Sequence, residues 1–352
     1  MSELLRDLWY FAATSRELKR GKMFRREILG EPVLLGRDEN GAAFALRDIC
    51  PHRAVPLSAG RVCATDGVQT VECPYHGWRF GTQDGVCKQI PSLVDGQPYE
   101  VNRIRVRRFP VHEANGVVLA FVSSDPRFAD EPPPPPDFDL GDFVEPKFVI
   151  HRIFAASMDN AVVGLMDPAH VPYVHNQWWW RPPSAGKKLK QKRFVPRERG
   201  WAIERHAPSG NSLAYRMLFG GNVTTEISFM LPGFRWEVVE NEKSRLFTLT
   251  FLTPENENST RITQVTYWKN APLLDVMKPI LIPAGREFLD QDGRMVDLQN
   301  TGLEYKPTML WIEDIDVQAK WYLKLKREWT KSREEQRDFM NPIEPTTLRW
   351  MS

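Results

Sequence analysis

Two short stretches of the chain combine thiol and imidazole side chains at close spacing. The first is Cys50-Pro-His52, and the second, further along, is Cys73-Pro-Tyr-His76. Thiolates and neutral imidazoles are the ligands that proteins use for zinc and for iron–sulfur centres. Four such side chains in two turn-rich segments therefore predict a metal centre, which could be either a zinc site or an iron–sulfur cluster.

A second group of side chains that could bind a metal ion lies later in the chain. It contains Asp167, His170 and His175, with Pro168 and Pro172 among them. The two histidines would lie about 140° apart on an ideal helix. The prolines also interrupt a simple helix at this point. Taken alone, this spacing is as typical of two structural histidines as of a metal site.

The order of the ligands distinguishes the two chemistries at the first group. Each stretch supplies one cysteine and then one histidine, and Gly77-Trp78 follows the second. This arrangement is the signature of a Rieske [2Fe–2S] centre, in which two cysteines hold one iron and two histidines hold the other. The pattern assigns Cys50 and Cys73 to one iron, and His52 and His76 to the other. Neutral imidazoles reduce the negative charge of such a cluster and raise its potential.

The flanking residues resemble the N-terminal domain of Rieske-type non-haem iron oxygenases. The resemblance is carried by Leu8-Trp9-Tyr10, Asp48-Ile-Cys-Pro-His-Arg53, Gly60-Arg61 and Gly85-Val-Cys-Lys-Gln-Ile-Pro91. Electron-transfer Rieske proteins carry an extra disulfide between the two loops. This chain has Val55 and Tyr75 at the corresponding positions, so it resembles the oxygenase type.

The same resemblance gives a role to the second group. The pattern Asp167-x2-His170-x4-His175 is similar to the mononuclear iron segment of these oxygenases. It implies that His170 and His175 are iron ligands. It also implies that Asp167 is a hydrogen-bonding bridge toward the Rieske histidine of a neighbouring subunit.

A facial triad on iron also requires a carboxylate. Two acids compete for this role, Asp292 and Asp314. The segment around Asp292 resembles the late helix of the family, and helical spacing places Phe288 and Val296 on the same face. We therefore predict Asp292 as the third ligand and keep Asp314 as the alternative.

The elements that must position these side chains fall into two groups. Residues 8–122 contain short strand-like runs and turn glycines, including a hairpin through Asn40-Gly41, which predict an all-β domain. The run Pro132 to Pro136 predicts an extended linker. Residues 192–268 predict an antiparallel meander of six or seven strands, with one strand at 214–218. Helices are predicted at about 284–299 and 315–333.

The predicted fold is α+β. It consists of an all-β Rieske domain at 1–125, a proline-rich linker at 126–145 and a catalytic domain at 146–352. In the catalytic domain we expect an antiparallel sheet flanked by helices, in a helix-grip-like arrangement.

Composition excludes several other classes of protein. The 352 residues include 47 Lys and Arg against 45 Asp and Glu, a net charge of +2. This balance argues against nucleic-acid binding through bulk charge and against general disorder. No apolar run is long enough to cross a membrane, and residues 1–6 do not resemble a secretory signal. We therefore expect a cytoplasmic protein that does not interact with membranes.

The resemblance also implies an activity and its partners. It is closest to the oxygenases built from α-subunits alone, of the vanillate O-demethylase and dicamba monooxygenase type, which implies a head-to-tail homotrimer. It implies one [2Fe–2S] cluster and one mononuclear Fe(II) per chain. Dioxygen would be a co-substrate, and electrons would come from NAD(P)H through a separate reductase, with or without a ferredoxin.

The expected reaction is hydroxylation or oxidative O- or N-dealkylation of an aromatic or other apolar small molecule, within aromatic catabolism. Two alternatives remain open from the sequence. One is a cis-dihydroxylating ring dioxygenase, and the other is an electron-transfer Rieske protein without oxygenase activity.

Overall fold

The computed structural model describes residues 4–125, 131–175, 188–208 and 222–352, and the chain divides into two compact units. The first unit spans Arg6–Asp137 and is built from short strands. These are β1 (Leu8–Thr14), β2 (Lys22–Ile28), β3 (Glu31–Arg37), β4 (Ala43–Arg47), β5 (Arg61–Thr65), β6 (Val68–Glu72), β7 (Arg79–Gly81), β8 (Cys87–Gln89), β9 (Val111–Ala114) and β10 (Val117–Val122).

The strands of the first unit form three small antiparallel sheets, in the orders β1-β10-β9, β2-β3-β4 and β5-β6-β7-β8. The predicted hairpin through Asn40-Gly41 joins β3 to β4, with Arg37 opposite Ala43. A core that includes Leu57, Val71 and Phe80 lies beneath the two Cys–His segments. The predicted all-β domain is therefore confirmed.

The predicted proline-rich linker lies at the end of this unit. The indole nitrogen of Trp9, on β1, donates a hydrogen bond of 3.0 Å to the carbonyl oxygen of Pro133. Proline lacks an amide hydrogen but keeps its carbonyl, so an extended proline run can still accept hydrogen bonds. This contact attaches the proline run to the first strand of the chain.

The second unit contains Phe138–Ser352 and one eight-stranded sheet. Its strands are β11 (Phe148–Phe154), β12 (Leu189–Arg197), β13 (Gly200–His206), β14 (Thr224–Met230), β15 (Phe234–Glu240), β16 (Arg245–Asn256), β17 (Ser259–Lys269) and β18 (Thr346–Met351). Their order across the sheet is β11-β17-β16-β15-β14-β13-β12-β18, and all neighbours are antiparallel.

The predicted meander accounts for the middle of this sheet, and two strands that we did not predict extend it at its edges. These are β11, which pairs with β17, and β18, which returns from the end of the chain to pair with β12. The strand predicted at 214–218 lies outside the described residues. The antiparallel sheet flanked by helices is confirmed, with eight strands rather than six or seven among the residues described.

Four helices accompany the sheet in the described part of the chain: α1 (Met158–Met166), α2 (Val171–Val174), α3 (Pro272–Leu303) and α4 (Val317–Glu334). The last agrees with the helix predicted at 315–333. The helix predicted at 284–299 is longer than expected, because it starts at Pro272 and contains Pro279 and Pro283. An interior proline costs about 3 kcal/mol. Burial of Leu274 and Leu281 against the cluster around Trp268 offsets this cost.

The two faces of the large sheet pack against different parts of the unit. On one face Phe138 packs edge-to-face against Phe234 and Phe251. The other face meets the helices, since Phe229 contacts Tyr322 of α4. None of the helices among the described residues has the length and apolar character that crossing a bilayer would need.

Candidate metal centres

The first Cys–His segment forms a tight loop that follows β4. The amide of Cys50 donates to the carbonyl of Val55 at 2.9 Å, and the amide of Ala54 donates back to the carbonyl of Cys50 at 2.9 Å. Ala54 adopts a left-handed conformation with φ of 57°, which is uncommon for a residue with a Cβ. The buried Asp48 holds this loop in place, because its carboxylate accepts hydrogen bonds from both the amide and the hydroxyl of Ser58, at 2.7 and 2.6 Å.

The second Cys–His segment closes in the same way, between β6 and β7. The amide of Cys73 donates to the carbonyl of Trp78 at 2.8 Å, and the amide of Gly77 donates to the carbonyl of Cys73 at 3.0 Å. Gly77 has φ of 70°, at the position that Ala54 occupies in the first loop. Two loops with the same backbone hydrogen bonds therefore each present one cysteine and one histidine, although the histidine is one position further from its cysteine in the second loop.

Thiols and imidazoles lie at different depths in this pair of loops. Cys50 and Cys73 are 2% and 3% exposed, whereas His52 and His76 are exposed, with ring centroids 4.6 Å apart. The His52 ring stacks on Trp78 at 4.6 Å, with 5° between the ring planes. Two thiols below and two imidazoles above fit a two-iron cluster with one iron held by each ligand type.

The surroundings of these ligands shift the pKa values of Cys50 and His52 toward the neutral forms of both side chains. Burial raises the pKa of the Cys50 thiol to about 11, with a smaller contribution in the same direction from Cys73. The pKa of His52 is lowered by loss of hydration and by the neighbouring His76 imidazole, so the neutral ring that can donate electrons to a metal is favoured. Binding of iron by the two thiols would release their protons.

The histidines of the second group lie just after α1. This helix begins at Met158, where the hydroxyl of Ser157 accepts a hydrogen bond from the amide of Asn160 at 3.3 Å. It ends at Asp167, which is extended because Pro168 follows it. The carboxylate of Asp167 then accepts a hydrogen bond of 2.7 Å from the amide of Ala169, which fixes the turn that leads to the histidines.

The structure brings Asp292, and not Asp314, to the two histidines. The Nε2 atoms of His170 and His175 lie 3.5 and 3.1 Å from the same oxygen, Oδ1 of Asp292. One ligand atom from each of the three residues lies within 4.8 Å of the others. Asp314 instead lies 3.6 Å from Arg349. Two imidazoles and one carboxylate that converge in this way match the donor set of a facial iron triad, which leaves positions open for dioxygen.

Asp292 reaches this position because α3 is fixed against the edge of the sheet. The guanidinium of Arg152, on β11, forms ion pairs with Asp290 and Asp297, one on each side of Asp292. Between them the guanidinium crosses the helix at Gly293, where a Cβ atom would overlap it. Glycine in a helix interior is costly, and here the close approach of Arg152 requires it.

Two further residues orient His175, and the sequence did not reveal either role. The Nδ1 atom of His175 lies 2.9 Å from Oε1 of Gln291, and the ring stacks on Phe288 at 3.5 Å. An amide oxygen only accepts hydrogen bonds, so Nδ1 carries a proton, and Nε2 faces Asp292. The only sequence signal was position, since Gln291 immediately precedes the predicted ligand Asp292.

Asp167 lies beside the other histidine. One of its carboxylate oxygens is 3.8 Å from Nδ1 of His170, and that buried nitrogen has no hydrogen-bond partner among the described residues. The Asp167 side chain is 34% exposed. The Asp167 carboxylate thus lies next to His170. Its side chain is also partly accessible to solvent.

Comparison with protein families gives an independent result. Residues 8–110 match the family model "Rieske [2Fe-2S] domain", and residues 154–325 match the model "Vanillate O-demethylase oxygenase C-terminal domain". Together these two regions make up most of the chain, and each contains one of the two groups of side chains described above. The chain therefore combines the two domains of the Rieske oxygenase family. Proteins of this family use a [2Fe–2S] cluster, mononuclear iron, dioxygen and electrons derived from NAD(P)H.

The alignments with individual relatives cover only part of this chain and part of each relative. The oxygenase component of dicamba O-demethylase from Stenotrophomonas maltophilia is 36% identical over 178 residues, which are 49% of this chain and 48% of the relative. Chlorophyllide a oxygenase from Arabidopsis thaliana is 31% identical over 193 residues, 53% of this chain and 32% of that protein. The chain therefore spans about half or less of the length of the curated relatives that it matches.

Solved structures show the same fold over nearly the whole chain. Dicamba monooxygenase bound to 3,6-dichlorosalicylic acid has a TM-score of 0.71 and 24% identity, with 95% of this chain and 99% of that chain covered. The NdmA QL mutant of Pseudomonas putida CBB5 with theobromine has a TM-score of 0.72 and 18% identity, with 97% and 96% covered. These likenesses confirm the predicted combination of a β Rieske domain and an antiparallel-sheet catalytic domain.

Proposed function

We propose that this chain is the oxygenase component of a Rieske-type system. It would use dioxygen, and electrons from NAD(P)H delivered by a separate reductase, to hydroxylate or to O- or N-dealkylate an aromatic or other apolar small molecule. The observation that carries this proposal is the convergence of His170, His175 and Asp292 in a chain that also contains the two Cys–His loops. An electron-transfer protein would need the loops but not the second group.

The proposed ligands divide between two centres. Cys50 and Cys73 would hold one iron of the [2Fe–2S] cluster and His52 and His76 the other, while the triad would hold the mononuclear iron. When bound, the cluster supplies single electrons and the mononuclear iron supplies a site for dioxygen activation. We assign these tasks to the domains predicted at 1–125 and 146–352, joined by the linker at 126–145.

The protein residues around the triad would prepare it for this chemistry. Gln291 keeps the proton of His175 on Nδ1, so that Nε2 is free to bind iron. Asp292 supplies the negative charge that balances the metal. Phe288 covers one face of the His175 ring, which is 1% exposed, and so excludes water from that side.

Asp167 would serve as a bridge between centres. We propose that the chain assembles as a head-to-tail homotrimer in the cytoplasm, in which Asp167 connects His170 to a Rieske histidine of a neighbouring subunit. The partly exposed carboxylate supports this role, because it lies beside Nδ1 of His170, which has no hydrogen-bond partner in the part of the chain that the structure describes. The alternative reaction is cis-dihydroxylation of an aromatic ring.

The test of the proposed function is substrate-dependent oxygen uptake under ¹⁸O₂ with a surrogate reductase. The panel contains methoxyarenes, N-alkyl compounds and bare polycyclic arenes, and products are analysed by mass spectrometry. We expect one labelled oxygen in the product or release of an aldehyde. Two labelled oxygens in a cis-diol would instead identify a ring dioxygenase. If nitric oxide gives no high-spin Fe(II) signal in the iron-loaded protein, the oxygenase proposal is wrong.

A further inference from the structure

The register of the large sheet identifies which side chains face the helices. Residues directly opposite each other on neighbouring strands point to the same face of a sheet. Phe229 on β14 contacts Tyr322 of α4, and it lies opposite Arg235 on β15. Arg235 lies opposite Thr250 on β16, and Thr250 opposite Gln264 on β17. These residues therefore share the helix-facing side of the sheet.

The middle of this face is polar, unlike its surroundings. A second row runs beside the first, with Glu237 opposite Thr248 and Thr248 opposite Thr266. We call these six residues the polar strip: Arg235, Glu237, Thr248, Thr250, Gln264 and Thr266. It spans three strands, or about 10 Å at the usual strand spacing, which is enough for a substituted aromatic ring.

The Thr250 hydroxyl of the polar strip lacks a protein acceptor among the described residues, and the Arg235 guanidinium lies beyond hydrogen-bond distance of its ion-pair partner. Thr250 is 2% exposed, and its hydroxyl has no hydrogen-bond partner there. The guanidinium of Arg235 lies 3.6 Å from the Glu237 carboxylate, which is too long for a hydrogen bond. A buried hydroxyl without a partner is destabilising, and on the helix-facing side of the sheet, which leads toward the candidate iron site, a ligand can complete it.

The polar strip leads toward the candidate iron site. Gln264 lies opposite Ile150 on β11, and a Cβ atom on Gly285 of α3 would lie 3.2 Å from Ile150. Two residues further along β11, Arg152 forms its ion pair with Asp290. The row that contains Arg235 and Thr250 therefore ends beneath Gly285 of α3, about two helical turns before Asp292.

We propose that the polar strip is the substrate-recognising wall of this oxygenase, and that it selects aromatic molecules with an oxygen acceptor group. The acceptor, a carboxylate or a carbonyl, receives hydrogen bonds from the Thr250 hydroxyl and the Arg235 guanidinium. Glu237 keeps the guanidinium on this face by charge attraction. This inference rests on the proposed function, because it names the substrate class of the same site.

The test is anaerobic titration calorimetry of the iron-loaded full chain with three probes of similar size. Benzoate carries a charged acceptor, acetophenone carries a neutral one, and isopropylbenzene carries none. Net hydrogen bonds of this kind change affinity by about three- to ten-fold. We expect at least one acceptor probe to bind tighter than isopropylbenzene by that factor, and the tighter of the two identifies whether the acceptor is an anion or a carbonyl.

Variants connect the preference to the polar strip. Thr250→Val removes the hydroxyl without changing the shape of the side chain, and Arg235→Met removes the guanidinium. Each substitution should abolish most of the difference in affinity between the acceptor probe and isopropylbenzene. The affinity for isopropylbenzene itself should stay the same or rise. The matched control is Ser228→Ala, because the Ser228 hydroxyl is also buried and unpartnered among the described residues but lies opposite Trp236, on the other face of the sheet. Thr250→Val should also melt at the same temperature as wild type or higher, because it removes an unsatisfied polar group.

The inference is wrong if neither acceptor probe binds better than isopropylbenzene. It is also wrong if Thr250→Val and Arg235→Met keep the wild-type preference. Because binding is measured without turnover, the experiments can contradict the proposed reaction and the role of the polar strip independently of each other. A protein that shows the preference but forms no labelled product contradicts only the proposed reaction. Labelled product from variants with an unchanged preference contradicts only the polar strip.

Discussion

The two candidate metal centres of this chain are built on opposite principles. In the first, all four ligands lie in two neighbouring loops, and both loops close with the same backbone hydrogen bonds. In the second, His170 and His175 flank the short helix α2, while Asp292 comes from a helix that the chain reaches only after most of the large sheet. The first site is defined by local backbone geometry, and the second depends on the packing of the whole unit.

The two centres also differ in how far their histidine side chains are exposed to solvent. The imidazoles of His52 and His76 are exposed above buried thiols, whereas His175 is 1% exposed and lies between Gln291 and Phe288. An exposed histidine edge suits exchange of electrons with another protein or subunit. A buried triad suits chemistry on a small molecule from which water must be kept away. The comparison predicts that each centre can be removed without loss of the other.

The largest effect is expected from Asp292→Ala. Loss of a ligand should remove the mononuclear iron and lower substrate-dependent oxygen uptake by more than about 100-fold, since residues that only orient a ligand already contribute 10- to 100-fold. The [2Fe–2S] cluster should remain, as measured by its visible absorption. Asp314→Ala is the control and should keep both metals. If Asp314→Ala loses the mononuclear iron and Asp292→Ala keeps it, the ligand assignment is reversed.

The converse change is Cys73→Ser, with Cys63→Ser as the control thiol. Cys73→Ser should abolish the cluster absorption and the acid-labile sulfide, and with them electron delivery from the reductase. Because the triad belongs to the other unit, Fe(II) binding there should persist. Cys63 hydrogen-bonds to Thr70 and lies outside the Cys–His loops, so Cys63→Ser should keep the cluster. Loss of the cluster in Cys63→Ser alone would contradict our assignment.

The same contrast explains how far the sequence could be interpreted. Spacing was enough to predict a common site for Cys50, His52, Cys73 and His76, because a loop of a few residues fixes its own geometry. Spacing also predicted the helix around Asp292, although not its start, because the cost of Pro279 and Pro283 is offset by burial against distant residues. Contacts between remote segments were beyond prediction from one sequence.

Gln291 and Thr250 illustrate that limit. Gln291 orients a histidine that is 116 positions away in the chain, and no local pattern distinguishes it from a surface glutamine on a helix. Thr250 and Ser228 are both polar residues in strands, and only the register shows that they lie on opposite faces. Only the three-dimensional structure shows how each of these residues is oriented relative to the site.

A smaller effect that links the two centres is expected from Asp167→Asn. The variant should keep both metals, because Asp167 is not among the ligand atoms that converge at the triad. Electron transfer between the centres should nevertheless slow severely, by about 10- to 100-fold, as is typical when the partner of a metal-bound histidine is lost. The measurement is the rate of product formation in a single turnover. Formation at the wild-type rate would refute the bridging role.

The smallest effect that we predict concerns Gln291, whose change leaves every ligand in place. Gln291→Leu removes the acceptor for Nδ1 of His175, so the ring can rotate or shift its proton to Nε2. We expect the Fe(II) dissociation constant of the iron-depleted protein to rise by about 10-fold, the lower end of the range for such partners, because Phe288 still stacks on the ring. Gln291→Glu keeps an acceptor at this position and should restore the affinity. Gln299→Leu, at an exposed position about two turns further along the same helix, should bind Fe(II) like the wild type. Equal affinity in Gln291→Leu and Gln299→Leu would mean that Phe288 and the surrounding packing are enough to hold His175.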